Sequence, residues 1–146
     1  MTNMDAMLAR AETYVGTPYV EGVFDCADLA AKVQWEVFGR LIPLPTHRKR
    51  PAGAMGQARE IRVLQDALAV RIELPETGCG VLMYQPTEQS MRWHIGTVFV
   101  VGIDVWVLHN SSEALGACLH RLADLQRQGM RLEGYYQSAN ACGGTT

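Results

Sequence analysis

The sequence predicts an α+β domain in which helices come first and an antiparallel sheet follows. In the first half of the chain, apolar residues recur at the three- and four-residue spacing of amphipathic helices. After Pro75 they fall instead in short runs that are rich in β-branched and aromatic side chains, as in strands. The chain has 146 residues and no internal repeat, so we expect one domain over residues 1–146. We expect its tail, at about 138–146, to be frayed.

Three helices are expected before Pro75. They cover Asn3 to Tyr14, Asp25 or Cys26 to Gly39, and Ala54 to Ala69. In the second helix, Asp25 is a suitable N-cap residue and Gly39 a suitable terminator. Two prolines make the segment 41–45 extended, because proline fixes φ and lacks an amide donor.

Five short strands are expected after Pro75. They are Val81 to Tyr84, Trp93 to Val101, Val105 to His109, Ala117 to Leu119 and Met130 to Tyr136. The tight link from Gly102 to Asp104 predicts an antiparallel hairpin, and Asp124 to Gln128 predicts a short helical turn. Such a chain places its N-terminal helices on a central antiparallel sheet.

The composition excludes several classes of function. Thirteen Lys and Arg against fifteen Asp and Glu give a formal charge of −2, so no basic excess favours nucleic acid. The longest stretch without Asp, Glu, Lys or Arg that is strongly apolar is residues 93–103, which is too short to span a bilayer. The start of the chain lacks an apolar run with a cleavage site, so we expect cytoplasmic synthesis without a signal peptide.

Cysteines are the first candidates for chemistry. The chain has four, none in a Cys-x-x-Cys pair, and we expect thiols because nothing marks the chain for export. Cys79 and Cys118 lie in or beside apolar strands and are expected to be inert, whereas Cys142 lies in the tail. Cys26 falls in the first turn of a helix, where amides and the macrodipole stabilise a thiolate and can receive an oxyanion. The alternative for Cys26 is a small buried cysteine without chemistry.

Two of the four histidines are brought together by the predicted hairpin. His94 opens one strand and His109 closes the next, and a turn at Gly102 to Asp104 places them opposite each other. One imidazole can then orient the other. We expect His47 and His120 to face solvent. No metal is predicted, because these residues lack the short paired spacing of zinc ligands.

A series of short motifs along the chain resembles a known pattern. The motifs are Gly16, Pro18 and Tyr19 in a Gly-x-Pro-Tyr loop, Asp25-Cys26 opening a helix, Leu44-Pro45 after that helix, GCGVLMY at 78–84, His94-Ile95-Gly96, and Leu108-His109. In this order they are similar to the NlpC family, papain-like bacterial cysteine peptidases that cut cell-wall peptides. The likeness covers roughly residues 8 to 136 and implies a papain-like NlpC-type fold.

The resemblance implies a cysteine peptidase or amidase acting on peptidoglycan stem peptides, usually between D-glutamate and a diamino acid. It implies that Cys26 is the nucleophile, His94 the general base and acid, and His109 the residue that orients His94. The Cys26 sulfur would then lie within hydrogen-bond reach of the His94 ring. Positions that match the family's substrate site are Tyr19, Asp25 and Ala27. No metal or organic cofactor is implied.

The chain also departs from the family pattern, which leaves other interpretations open. Ala27 replaces the usual serine after the nucleophile, Asp28 a common glycine, and Cys79 an aspartate. Within the same resemblance, the chain could be a module of a phage tail tip, bound to tail proteins in the virion, with cleavage secondary or lost. It could also be an amidase toxin or acyltransferase delivered to a cell envelope. Tyr19 could simply cover the core, and Asp25 could simply cap the helix.

Overall fold

The computed structural model describes residues 3–42, 70–88 and 91–137, which form a six-stranded antiparallel sheet with helices against both faces. The helices are α1 Asn3–Glu12, α2 Cys26–Phe38 and α3 Leu122–Arg127, and the strands are β1 Val70–Ile72, β2 Gly80–Pro86, β3 Met91–Val101, β4 Asp104–Ser111, β5 Gly116–Arg121 and β6 Arg131–Gln137. The predicted α+β class is confirmed. The helix expected over 54–69, the Leu-Pro motif, His47 and Cys142 lie outside the described residues.

The sheet has the strand order β1-β6-β2-β3-β4-β5, with every neighbouring pair antiparallel. Strands β2 to β5 follow one another as a meander, and β6 then returns to lie between β2 and β1. All five predicted strands are present, with ends that differ by a residue or two. The strand β1 was not predicted, because three residues are too few to show a period.

Helix α2 is bounded by the two residues that the sequence indicated. The Asp25 carboxylate accepts hydrogen bonds from the amides of Ala27 and Asp28 at 3.0 and 3.2 Å, and the Asp28 carboxylate accepts from the Asp25 amide at 2.9 Å. This reciprocal capping box makes Cys26 the first helical residue. The helix ends at Gly39, whose φ of 68° is left-handed and whose amide donates to the Trp35 carbonyl.

The two faces of the sheet carry separate cores. The face covered by helices α1 and α2, here called the α1/α2 face, buries Ala11, Cys26, Ala27, Leu29, Ala30, Val33, Ile42, Leu82, Ile95, Phe99, Leu108, Ala117 and Tyr136. The opposite face, here called the α3 face, buries Cys79, Val81, Met83, Val98, Val107, Leu122, Leu125 and Tyr135. Neighbouring residues such as Val107 and Leu108 belong to different cores, since strand side chains alternate between faces. This alternation decides where each candidate side chain lies.

Candidate active site

The hairpin of β3 and β4 joins the two predicted histidines, in a register that differs from the prediction. Val101 pairs with Asp104 across a two-residue turn, in which Gly102 has a φ of 61°. His109 consequently lies opposite Gly96 rather than opposite His94. The prediction was wrong because it paired residues whose numbers sum to about 203, whereas the observed partners sum to 205. A two-residue offset keeps a side chain on the same face, so His94 and His109 remain diagonal neighbours.

Three imidazoles, not two, form a continuous chain on the α3 face. His94 Nε2 lies 2.7 Å from His109 Nδ1, with the ring planes nearly perpendicular at 87°. On its other side, His109 Nε2 lies 3.0 Å from His120 Nδ1. The expectation that His120 faces solvent was wrong. In β5 it pairs with Val107, which puts its ring beside His109, two residues further along β4.

Burial keeps the rings of His94 and His109 neutral. Burial, with a smaller contribution from the charge of Arg92, lowers the pKa of His94 from 6.5 to about 4. Burial also lowers the pKa of His109 to about 2, with further contributions from His94 and His120. At neutral pH each of these two imidazoles therefore holds one proton, and one ring nitrogen donates while the other accepts.

A cavity of about 440 Å³ opens beside this chain of rings and is lined by all three of them. At its edge, Arg92 donates to the Glu113 carboxylate at 3.0 Å and to the Ser112 hydroxyl at 3.1 Å. Its wall also includes Tyr19. A peptide could be bound here between a guanidinium, a carboxylate and neutral imidazoles.

The Cys26 side chain lies on the other face of β3. Cys26 is fully buried and belongs to the same apolar cluster as Ile95, on the α1/α2 face. His94 precedes Ile95 in the strand, so its ring points to the α3 face instead. A Cβ placed on Gly96 would approach Val107 and His109, which confirms the side on which these histidines lie. The structure thus joins the histidines, but it does not place the sulfur on their side of the strand.

Tyr19 and Asn110 connect the two sides. The pKa of Tyr19 is raised to about 12, first by burial and then by the charges of Cys26 and Asp25, which places its phenol near the thiol as well as in the cavity wall. Asn110 is wholly buried and directs its Nδ2 at the carbonyl oxygens of Phe24 and Asp25, at 3.4 and 3.3 Å. Strand β4 therefore carries a ring of the histidine chain and, in the next residue, an anchor for the start of α2. The sequence analysis missed Asn110, although its position directly after His109 was visible.

The other predicted residues are placed as follows. Of the three residues matched to a substrate site, Tyr19 lines the cavity, whereas the Asp25 carboxylate is held by the helix cap and Ala27 lies in the apolar cluster. Cys79 is a core thiol, and burial raises its pKa to about 11. Cys118 is half-buried, and burial raises its pKa too. None of the three cysteines in the described ranges forms a disulfide.

Comparison with known proteins adds no assignment, since no family model, curated protein or solved structure matches the chain. Among residues 3–42, 70–88 and 91–137, no helix is long and apolar enough to cross a bilayer. Nor does this part of the chain gather three histidine, cysteine or acidic side chains in a metal-binding arrangement. In the histidine chain itself, the middle ring directs both nitrogens at its neighbours.

Proposed function

We propose that the protein is a thiol hydrolase that cleaves an amide bond of a peptidoglycan stem peptide. Cys26 is the nucleophile, His94 the general base and acid, and His109 the residue that orients His94. The observation that carries the proposal is the 2.7 Å contact between the two histidines that the NlpC-like motifs single out. It is supported by the position of Cys26 as the first residue of a capped helix.

The chemistry follows from these positions. His94 takes the proton of the Cys26 thiol as the sulfur attacks the carbonyl carbon, and the ring then gives that proton to the leaving amine as the amide bond breaks. Water, activated by the same ring, then hydrolyses the thioester and releases the acid. The amides of Ala27 and Asp28 already donate to Asp25, so the helix dipole rather than these two amides assists the thiolate.

This reaction requires the sulfur and the His94 ring to meet, and their placement favours a second candidate. Cys26 has no exposed surface and packs with Ile95, whereas His94 points to the opposite side of the same strand. A phage tail-tip module that keeps the fold without hydrolysing anything would need no contact between them. The hydrolase would cleave stem peptides, whereas the structural module would not.

Mass spectrometry of muropeptides digested by the wild type and by Cys26→Ala separates them. We expect the wild type to split a stem peptide, Cys26→Ala to leave it intact, and both to unfold cooperatively. Cys118→Ala is the matched control, since it removes a half-buried thiol outside the cavity wall, and it should cleave like the wild type. A folded wild type that cleaves no muropeptide would support the structural module, and full turnover by Cys26→Ala would exclude Cys26 as nucleophile.

The roles of the two rings are tested on the same substrate. His94→Ala should abolish turnover, because it removes the base, whereas His109→Ala should reduce it only in part, because His109 acts through His94. Rates of muropeptide cleavage by the purified variants measure the difference. Equal loss in the two variants would contradict this assignment.

A further inference from the structure

His120 extends the pair of histidines into a chain with a defined outer end. Its Nδ1 lies 3.0 Å from His109 Nε2, and its ring is half-buried at the wall of the cavity. The middle ring, that of His109, is only 4% exposed and meets a histidine nitrogen at each of its own nitrogens. His109 therefore has no freedom to choose its tautomer independently of its two neighbours.

The chain admits two arrangements of its protons. In the first, His94 donates from Nε2 to His109 Nδ1, and His109 donates from Nε2 to His120 Nδ1. In the second, both hydrogen bonds run the other way, and His94 keeps its proton on Nδ1. Only the first leaves His94 Nδ1 unprotonated. Since His94 Nε2 is already engaged with His109, Nδ1 is the nitrogen that remains for accepting a proton from a thiol.

We propose that His120 is a positioning residue, which accepts a hydrogen bond from His109 and thereby holds His94 in the tautomer whose Nδ1 is free to act as a base. The effect on rate rests on the proposed hydrolase function, whereas the tautomer itself does not. Burial keeps His94 and His109 neutral at pH 7, so one proton on each ring must be placed.

Two arginines lie close in sequence to the ends of the histidine chain, Arg92 to His94 and Arg121 to His120. Arg92 of β3, held by Glu113, lines the cavity on the His94 side. On the β5 side, Arg121 follows His120 in sequence and pairs with Asp124 of α3 at 3.3 Å. Neither ion pair donates to or accepts from the ring nitrogens in the bonds described above, so the partner that faces His109 Nε2 is His120.

The test is a two-bond ¹H–¹⁵N NMR spectrum of the imidazoles at pH 7, recorded on the whole protein. We expect protons on Nε2 of His94, His109 and His120 in the wild type. His120→Leu removes the acceptor, and His94 should then show a mixture of tautomers. His120→Asn restores an acceptor oxygen near the position of Nδ1 and should restore the wild-type pattern. A proton on His94 Nδ1 in the wild type, or an unchanged His94 pattern in His120→Leu, would overturn the inference.

Cleavage rates separate this inference from the proposed function. If both hold, His120→Leu lowers kcat about three- to tenfold, the size expected for one hydrogen bond, and His120→Asn recovers it. If the wild type cleaves the substrate and His120→Leu has the same kcat, the positioning role is contradicted and the hydrolase proposal stands. The expected tautomers in a protein that cleaves nothing would overturn the hydrolase proposal and leave the tautomer assignment standing. Should His120→Leu fail to fold, the wild-type spectrum alone decides the direction of the chain.

Discussion

Burial has opposite consequences for the thiols and the imidazoles of this protein. It disfavours the charged form of each, so it raises the pKa of Cys79 to about 11 and lowers that of His109 to about 2. The same physical cause makes Cys79 unreactive and keeps His109 neutral. A buried thiol can therefore be distinguished from an activated one by its reactivity.

We predict that Cys79 resists alkylation in the native protein. Its thiol is 2% exposed and holds its proton across the neutral range, and only the thiolate is the nucleophile. Cys118 is half-buried and should react with iodoacetamide faster than Cys79. Peptide mapping after timed labelling at pH 8 measures both rates, and urea should abolish the difference. Equal native rates would contradict this account.

At the scale of single residues, the sequence predicted which histidines come together better than it predicted where their side chains point. His94 and His109 were found because a hairpin follows from local turn chemistry. The partner of His109 on the next strand was missed, because pairing of β4 with β5 has no local signal at His120. The face to which His94 points could not be predicted either. Strand periodicity alternates the side chains without saying which face the helices cover.

At the scale of elements, helix α2 shows how far local signals reach. Its start and its end were both predicted from single residues, Asp25 and Gly39, and both are confirmed. These signals work because a cap satisfies amides within three residues of itself, without help from the rest of the fold. The strand β1 gives the opposite case, since it exists through pairing with β6 from the far end of the chain.

The helix cap leads to a stability prediction. Asp25→Ala should destabilise the protein by about 1 kcal/mol, because the amides of Ala27 and Asp28 lose their acceptor. Asp28→Ala removes the return bond to the Asp25 amide, a single bond where Asp25→Ala removes two, and should cost less. Urea unfolding at pH 7 measures both changes. A larger loss in Asp28→Ala would show that the cap does not act as described.

The β3–β4 hairpin leads to a second stability prediction, which compares alanine substitutions at two glycines. A Cβ on Gly96 would stand 2.5 Å from Val107 Cγ1 and 3.0 Å from the Leu108 carbonyl oxygen. Gly96→Ala should therefore destabilise the protein by about 1–3 kcal/mol, as overpacking does. A Cβ on Gly134 meets the Arg71 guanidinium at 3.1 Å, and this exposed group can swing away. Gly134→Ala should cost less by urea unfolding, and the reverse order would contradict the register of the hairpin.

At the scale of the whole molecule, the sheet separates the candidate residues into two groups, one on each face. Its α1/α2 face carries Cys26 and the helix cap, and its α3 face carries the histidines and the cavity. Strand β4 presents a residue of the candidate site to each side, His109 to one and Asn110 to the other. Chemistry that uses both sides must take place at the end of the sheet where Tyr19 lies.

Because neutral imidazoles are buried on the α3 face, the free energy of unfolding depends on pH. The pKa values of His94 and His109 are about 4 and about 2 in the folded protein, against 6.5 for a free side chain. Between pH 6.5 and these lower pKa values, the unfolded chain binds more protons than the folded one. The free energy of unfolding therefore falls as the pH decreases below about 6.5. Above that pH both states hold neutral rings, and the histidines add no slope.

Acid should therefore destabilise the protein, and His109 should account for the larger share, because its pKa is lowered to about 2 and that of His94 only to about 4. His109→Asn removes one titrating group, so its free energy of unfolding should decline less steeply from pH 6.5 to pH 4.5. The difference in slope should approach about 1.4 kcal/mol per pH unit where the unfolded histidine is fully protonated. Carboxylates titrate alike in both proteins, so the difference between the two curves comes from the histidine chain. Urea unfolding at half-unit steps of pH provides the two curves, and parallel curves would mean that His109 does not stay neutral in the native state.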